Sequence, residues 1–170
     1  MNKILFTLAL LISFSSLGQA ISLEDVAKGA WKEGIVRKYL DQFDELRTIE
    51  GIYNYSSNNP QIQSSYKFLI LFDETDFVYR AHLMQANCVG CQHWRIGETK
   101  IIFEESVDEG FFNIKWYTPG KRNRKGKKKK PDTYINAEAY EEGEGAEILI
   151  GGGQFGDYRI DTLSKKYPLF

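Results

Sequence analysis

The stretch SYKFLILFDETDFVYRAHLM, residues 65–84, decides the fold. Each of its halves alternates apolar and polar residues, and the acidic segment 73–76 between them is typical of a tight turn. A period of two puts alternate side chains on one face of a strand. The sequence therefore predicts an antiparallel hairpin whose inward face carries Tyr66, Phe68, Ile70 and Phe72, followed by Phe77, Tyr79, Ala81 and Leu83.

The same alternation continues on both sides of this hairpin. The gaps between the apolar runs are short and rich in Gly, Asp and Ser, which leaves no room for the crossover helices of a parallel sheet. We therefore expect a mainly β fold, an N-terminal amphipathic helix followed by an eight-stranded antiparallel up-and-down barrel over residues 48–170. The predicted strands are Ile49–Tyr55, Ser65–Phe72, Phe77–Met84, Thr99–Glu105, Phe111–Thr118, Thr133–Glu141, Ala146–Gly151 and Gln154–Thr162.

The inward faces are unusually aromatic, and 14% of all residues are Phe, Trp or Tyr. Their spacing fits a filled core, and it equally fits a barrel that encloses a ligand. In the second case the predicted ligand contacts are Tyr66, Phe68, Tyr79, Phe112 and Trp116. Ala146, Ile148 and Ile150 are also predicted to point inward, whereas the opposite faces carry Lys67, Arg80, His82, Lys100, Lys115 and Glu147.

Residues 21–47 have a helical period. Their apolar side chains recur at steps of three, four and seven, with charged residues on the other face. Ser22, with Asp25 three residues later, is a typical N-cap. Gly29 and Gly34 weaken the helix, so it could break into two shorter helices near Gly34.

Residues 1–20 have the order of a secretion signal. Lys3 supplies a positive charge, Ile4 to Phe14 is apolar, and Gly18 and Ala20 suit positions −3 and −1 of a cleavage site. The apolar run is shorter than the roughly 20 residues that cross a bilayer, so no transmembrane segment is predicted. The expected location is secreted or periplasmic.

Overall charge argues against nucleic acid as the partner. The formal net charge of the 170 residues is −1, which leaves no general attraction for a polyanion. A chain of this length is expected to contain one domain after the signal.

The triplet Gly51-Ile52-Tyr53, which opens the first strand after a helical segment, resembles the start of a lipocalin-like barrel, although lipocalins have Trp where this chain has Tyr53. A closer resemblance is to small β domains of secreted bacterial proteins, through Tyr66–Ile70, Trp94–Glu98 and Ile114–Tyr117. The likeness covers roughly 49–160. It implies a lipocalin-like fold and export, and it carries no assigned activity.

Cys88 and Cys91 are separated by two residues. In an exported protein such a pair most simply forms a disulfide. Two alternatives stay open: a reactive thiol beside His93 and Arg95, and a zinc site completed by His82 and His93. A disulfide is our prediction, without a metal.

Residues 121–130 contain eight Lys or Arg residues between two predicted strands. A solvated hairpin tip explains them, and contact with an anionic surface is the functional alternative. The run contains no aromatic residue for base stacking, so it does not suggest binding to single-stranded nucleic acid.

Catalytic motifs are absent from the sequence. It has no Gly-x-Ser-x-Gly elbow, no His-Glu-x-x-His helix and no phosphate-binding loop. We therefore predict a non-catalytic protein with no cofactor that binds a small apolar ligand or recognises a surface. The alternatives are an interaction domain acting through 121–130 and a redox or zinc protein acting through Cys88 and Cys91.

Overall fold

A computed structural model describes residues 20–57, 65–87, 94–118, 133–151 and 161–168. Two short helices precede eight strands. The helices are α1 (Leu23–Lys28) and α2 (Glu33–Leu40). The strands are β1 (Gly51–Ser57), β2 (Ser65–Asp73), β3 (Val78–Asn87), β4 (Thr99–Glu105), β5 (Phe111–Thr118), β6 (Thr133–Glu142), β7 (Glu147–Gly151) and β8 (Asp161–Tyr167).

The strands form a closed up-and-down barrel. Each strand pairs antiparallel with the next along the chain, and β1 pairs with β8 to close the circle. Tyr53 lies opposite Phe68, and Phe103 lies opposite Ile114, so these four inward aromatic and apolar residues meet across adjacent strands. The predicted fold class is confirmed.

Side chains fill the middle of the barrel. Phe68, Leu83, Ile101 and Phe103 are each 0% exposed, so no water-sized space adjoins them. Phe103 and Phe112 meet edge to face with ring centroids 6.0 Å apart, a favourable arrangement of aromatic quadrupoles. The middle of the barrel is therefore close-packed like an ordinary protein core.

The N-terminal segment forms two helices rather than one. Ser22 caps α1, as the sequence predicts, and its side chain and that of Asp25 form a reciprocal capping box. The chain breaks before Gly34, because Gly29 ends α1 and Ala30 and Trp31 both adopt φ of 56°. Gly34 itself lies exposed within α2.

Both helices pack on the outside of the barrel. Val26, Val36 and Leu40 contact Leu69 and Leu71 of β2, in an apolar cluster separate from the interior. This second layer explains why β2 reads as a nearly continuous apolar run, since both of its faces are buried.

Glu33 fixes α2 to the barrel. Its carboxylate accepts hydrogen bonds from Lys67 of β2 at 2.6 Å, from Arg37 at 2.8 Å and from Lys166 of β8 at 3.2 Å. The Lys67 hydrogen bond is the main reason that the pKa of Glu33 falls to about 2.

The last strand differs from its predicted range of Gln154–Thr162. β8 continues to Tyr167, and residues 154–160 lie outside the described ranges. The alternation was concealed because two of its inward positions are charged: Asp161 and Lys165 are 3% and 8% exposed. Two further predictions of inward residues were wrong: Phe77 lies in a turn, 75% exposed, and Ala146 precedes β7 and is exposed.

The two ends of the barrel are built differently. At the turn end, short turns join β2 to β3, β4 to β5 and β6 to β7, and the segment 41–50 enters β1. At the loop end, the chain between β1 and β2, β3 and β4, β5 and β6, and β7 and β8 includes 58–64, 88–93, 119–132 and 152–160, which lie outside the described ranges.

The helices in the described part of the chain are too short and too polar to cross a membrane.

Candidate functional site at the loop end

A β-bulge turns Lys100 into the barrel at the loop end. Ala81 of β3 pairs with Ile101 and the next residue, His82, pairs with Thr99, so Lys100 is the extra residue on β4. A bulge of this kind re-aims a side chain that regular alternation would send to the other face. Lys100 is 3% exposed, which corrects the prediction that it lies on the outer face.

Three aromatic rings surround the Lys100 ammonium, and we call them the aromatic box. The distances from Nζ to the ring centroids are 4.3 Å for Trp94, 4.9 Å for Tyr66 and 5.5 Å for Trp116. All three lie within the range of cation–π attraction. The box draws on β2, β5 and the segment before β4, so it exists only in the folded barrel.

Burial dominates the electrostatics of Lys100. Its Nζ donates one long hydrogen bond of 3.5 Å to the carbonyl oxygen of Tyr117. Loss of hydration lowers the pKa of Lys100 to about 8. Within the described ranges no carboxylate forms an ion pair with this ammonium.

A buried carboxylate lies across the barrel from the box. Asp161 accepts hydrogen bonds from the Tyr55 hydroxyl at 2.8 Å and from the Ser57 hydroxyl at 2.6 Å. The Tyr55 ring in turn packs against Trp116 and Tyr66, with centroids 5.3 and 5.4 Å apart. One aromatic layer therefore connects the Asp161 side of the barrel to the Lys100 side.

The five predicted ligand contacts all belong to the barrel interior, at different depths. Tyr66 and Trp116 lie at the loop end, in the box. Phe68 lies beneath Tyr66 with the rings stacked at 5.7 Å. Tyr79 and Phe112 lie at the turn end, where their rings meet edge to face at 6.0 Å. Ligand contact by any of them stays a prediction.

Trp31 and Gly97 position the segment that carries Trp94. Trp31 stacks on His82 with centroids 5.3 Å apart, on the outer face of β3. A Cβ on Gly97 would come 2.4 Å from the Trp31 indole nitrogen, so glycine is needed at this position. The helical layer is thereby coupled to the start of β4.

His82 itself has local structural contacts. Its Nδ1 lies 3.3 Å from the carbonyl oxygen of Gly97, and burial lowers its pKa. Cys88, Cys91 and His93 lie outside the described residues, as does the basic run 121–130. The disulfide, redox and zinc hypotheses thus remain predictions.

The turn end is sealed by polar contacts. Lys165 Nζ donates to the carbonyl oxygen of Thr48 at 2.6 Å, and the Tyr53 hydroxyl donates to that of Gly145 at 2.8 Å. Ile49 follows Thr48 into the barrel and is 1% exposed. Gly145 has φ of +78°, and a Cβ there would come 2.2 Å from the Thr48 oxygen.

Two concavities lie away from the aromatic box. A cleft of about 530 Å³ on the outside of β2 and β3 includes Phe43, Arg47 and Phe72 in its lining. A smaller cleft of about 220 Å³ at the turn end includes Phe111, Glu105 and Glu141. In the outer cleft, Arg47 stacks on Phe72, so its cationic group already has an internal partner.

Sequence reasoning missed Lys100, Asp161 and Trp94 as site residues. Alternation places Lys100 outward unless the bulge is known, and no local signal reveals a bulge that depends on the pairing of β3 with β4. In the sequence, Trp94 stands out only as part of the motif Trp94–Glu98. The available signal was an aromatic residue next to a glycine turn before a strand.

The site thus lies at one end of a small, closed, eight-stranded up-and-down β-barrel with two helices on its outer face. Compared with family models, curated proteins and solved structures, the chain matches none of them.

Proposed function

We propose that this chain is an exported, non-catalytic, lipocalin-like binding protein that takes a small apolar molecule at the loop end of the barrel. The observation that carries the proposal is the aromatic layer there: Tyr66 and Trp94 are half-buried, whereas the residues beneath them are fully buried. Large aromatic surfaces that remain partly open are what apolar ligands cover.

The outer cleft and the turn-end cleft suit this role less well. The turn end is closed by Ile49 and by the hydrogen bonds of Lys165 and Tyr53. In the outer cleft, Arg80 is ion-paired with Asp73 at 2.7 Å, so a ligand there would meet polar groups that already have partners.

Binding of N-phenyl-1-naphthylamine tests the proposal. This uncharged dye becomes fluorescent in apolar surroundings, and we expect it to bind the purified protein with one-site saturation. Trp94→Ala should weaken binding at least about fivefold, since removing an aromatic contact typically loses about 1 kcal/mol or more.

Two matched variants locate the dye. Phe43→Ala removes an exposed aromatic from the outer cleft, and Phe111→Ala removes one from the turn-end cleft. Both should bind the dye as the parent does. Absence of saturable binding to the parent, or loss of binding in either control with Trp94→Ala unaffected, overturns the proposal.

Export is a separate part of the proposal. Residues 1–20 have the features of a cleavable signal, so the protein recovered outside the cytoplasm should begin at Ile21. Intact mass measurement of the cell-associated and external fractions would test this. An external protein that retains Met1 contradicts cleavage of the signal, and a protein found only in the cytoplasm contradicts export.

The position of residues 121–130 in the chain favours a second candidate function, contact with an anionic surface. β5 and β6 pair as far as Thr118 and Thr133, at the loop end, and residues 121–130 lie between them in the chain. Replacing Lys127 to Lys130 with Ser should then abolish retention on heparin. Unchanged retention removes this alternative.

A further inference from the structure

We propose that the Lys100 ammonium is the anion-binding group of the loop-end site, and that the ligand is a small, aromatic or apolar molecule with a single negative charge. The inference rests on the proposed function and narrows it, because it names the ligand class that the same aromatic layer would accept. An uncharged ligand would leave the charge of this lysine without a counter-ion.

Among the described residues, Lys100 differs from the other two buried charged groups, Asp161 and Lys165. Asp161 accepts two short hydrogen bonds from hydroxyls, and Lys165 donates one of 2.6 Å to a carbonyl. Lys100 has a single contact of 3.5 Å to a carbonyl and otherwise faces rings. Burying a cation with so little compensation is unfavourable, and groups retained under those conditions usually serve binding or catalysis.

The bulge shows that this placement is specific. Pairing with β5 is regular from Ile101, which lies opposite Trp116, to Glu105, so the irregularity does not extend along β4 beyond Lys100. Without it, Lys100 would extend to the outer face beside other charged residues. Bulges next to binding sites commonly serve to aim one side chain.

The surroundings of Lys100 define the rest of the ligand. The walls are the flat faces of Trp94, Trp116 and Tyr66, which suit a planar or compact apolar body. The floor is closed, because Phe68 beneath Tyr66 is 0% exposed, as is Leu83. The site is therefore shallow, and a short anion fits it better than a long acyl chain. A single lysine supplies one positive charge, which matches one carboxylate or sulfonate.

A pair of dyes isolates the contribution of the charge. 8-Anilinonaphthalene-1-sulfonate has the same ring system as N-phenyl-1-naphthylamine plus one sulfonate. We expect the sulfonate to bind at least about tenfold more tightly, because a hydrogen bond to a charged group contributes about 1.5–3 kcal/mol, and a tenfold change in Kd equals about 1.4 kcal/mol. Both affinities are measured by fluorescence titration of the parent protein.

Substitution of Lys100 then tests whether this residue causes the preference for the sulfonate dye. Lys100→Met keeps the length of the side chain and removes the charge, so it should abolish the preference for the sulfonate while the uncharged dye still binds. Lys100→Arg should keep most of the preference. The matched control is Lys165→Met, which removes the other buried lysine, at the opposite end, and should leave the preference unchanged.

The outcomes separate the two proposals. If neither dye binds the parent protein saturably, the proposed function is overturned, and this inference with it. Equal binding of both dyes to the parent, or a sulfonate preference that survives in Lys100→Met, overturns the inference and leaves the binding function standing. Retained far-ultraviolet circular dichroism and cooperative unfolding show that each variant is folded.

Discussion

Lys165 at the turn end and Lys100 at the loop end are both buried side chains of β-strands, and burial is the main cause that lowers the pKa of each to about 8. Their surroundings differ. Lys165 Nζ bonds the Thr48 carbonyl, and Glu141 and Glu50 partly oppose the fall in its pKa. Lys100 faces the aromatic box and has one long hydrogen bond.

This difference separates a structural use of a buried charge from a binding use. A short hydrogen bond to the backbone ties Lys165 to the segment that closes the barrel, so its removal would leave the Thr48 oxygen without that donor. In the described part of the chain, the acceptor of Lys100 is the Tyr117 oxygen at 3.5 Å, a much longer hydrogen bond. We therefore expect the turn end to control stability and the loop end to control ligand binding, and the following measurements challenge that division.

The largest loss of stability is expected from substitution of Ile49, which closes the turn end of the barrel. Ile49→Ala removes a side chain that is 1% exposed, and it should lower the free energy of unfolding by about 3 kcal/mol through lost burial and the resulting cavity. Urea denaturation with an unchanged m-value measures this loss.

Trp94→Ala is the matched change at the loop end. The side chain is larger than that of Ile49 but half-buried, so the stability loss should be clearly smaller than that of Ile49→Ala. If Trp94→Ala destabilises the protein as strongly as Ile49→Ala does, the aromatic box is part of the core and the two ends are not divided in this way.

The two lysines should respond to the same substitution with opposite signs. Lys165→Met leaves a carbonyl without its donor and should lower the free energy of unfolding by about 1–2 kcal/mol. Lys100→Met replaces a poorly compensated cation with an apolar side chain, and it should raise that free energy by about 1 kcal/mol. Denaturation midpoints at pH 7 are the measurement. A loss of equal size in both variants would contradict the distinction between them.

Much of the barrel could be predicted because its main signal is local. Alternation along 65–84 and its neighbours predicts the first seven strands, and the bounds of β4 and β5 match the predicted ranges, whereas the eighth prediction overlaps β8 only at residues 161–162. The helix break lies close to Gly34, where the sequence indicates one. Its exact position brings Trp31 against His82 and Gly97, which are far away in the chain. Propensity within 21–47 carries no information about such contacts.

The candidate site was harder to predict for the same physical reason. Tyr66 and Trp116 were identified because alternation alone places them inward. Lys100 was assigned to the wrong face, since its direction depends on a bulge between two strands. Inward Asp161 was missed because its burial depends on the hydroxyls of Tyr55 and Ser57, more than 100 residues earlier in the chain.

The smallest effect is a pH dependence of stability. The pKa of Lys100 is about 8 in the folded protein, below its ordinary value of 10.5. Between these values the unfolded chain keeps a proton that the folded barrel has released, so stability rises with pH across this window. Lys165 acts in the same direction, because its pKa is also lowered to about 8.

Substitution separates the two contributions to this rise. Between pH 7.5 and 9.5 the parent should gain stability, and Lys100→Met should lack on the order of 1 kcal/mol of that gain. The pH range ends at 9.5 because Tyr79, whose pKa is raised to about 12, opposes the rise in stability at higher pH. There the folded protein keeps the Tyr79 proton while the unfolded chain loses it. Urea midpoints at four pH values give the curve. An identical rise in Lys100→Met would mean that the ammonium at the loop end is hydrated, and the contrast with Lys165 would then lose its physical basis.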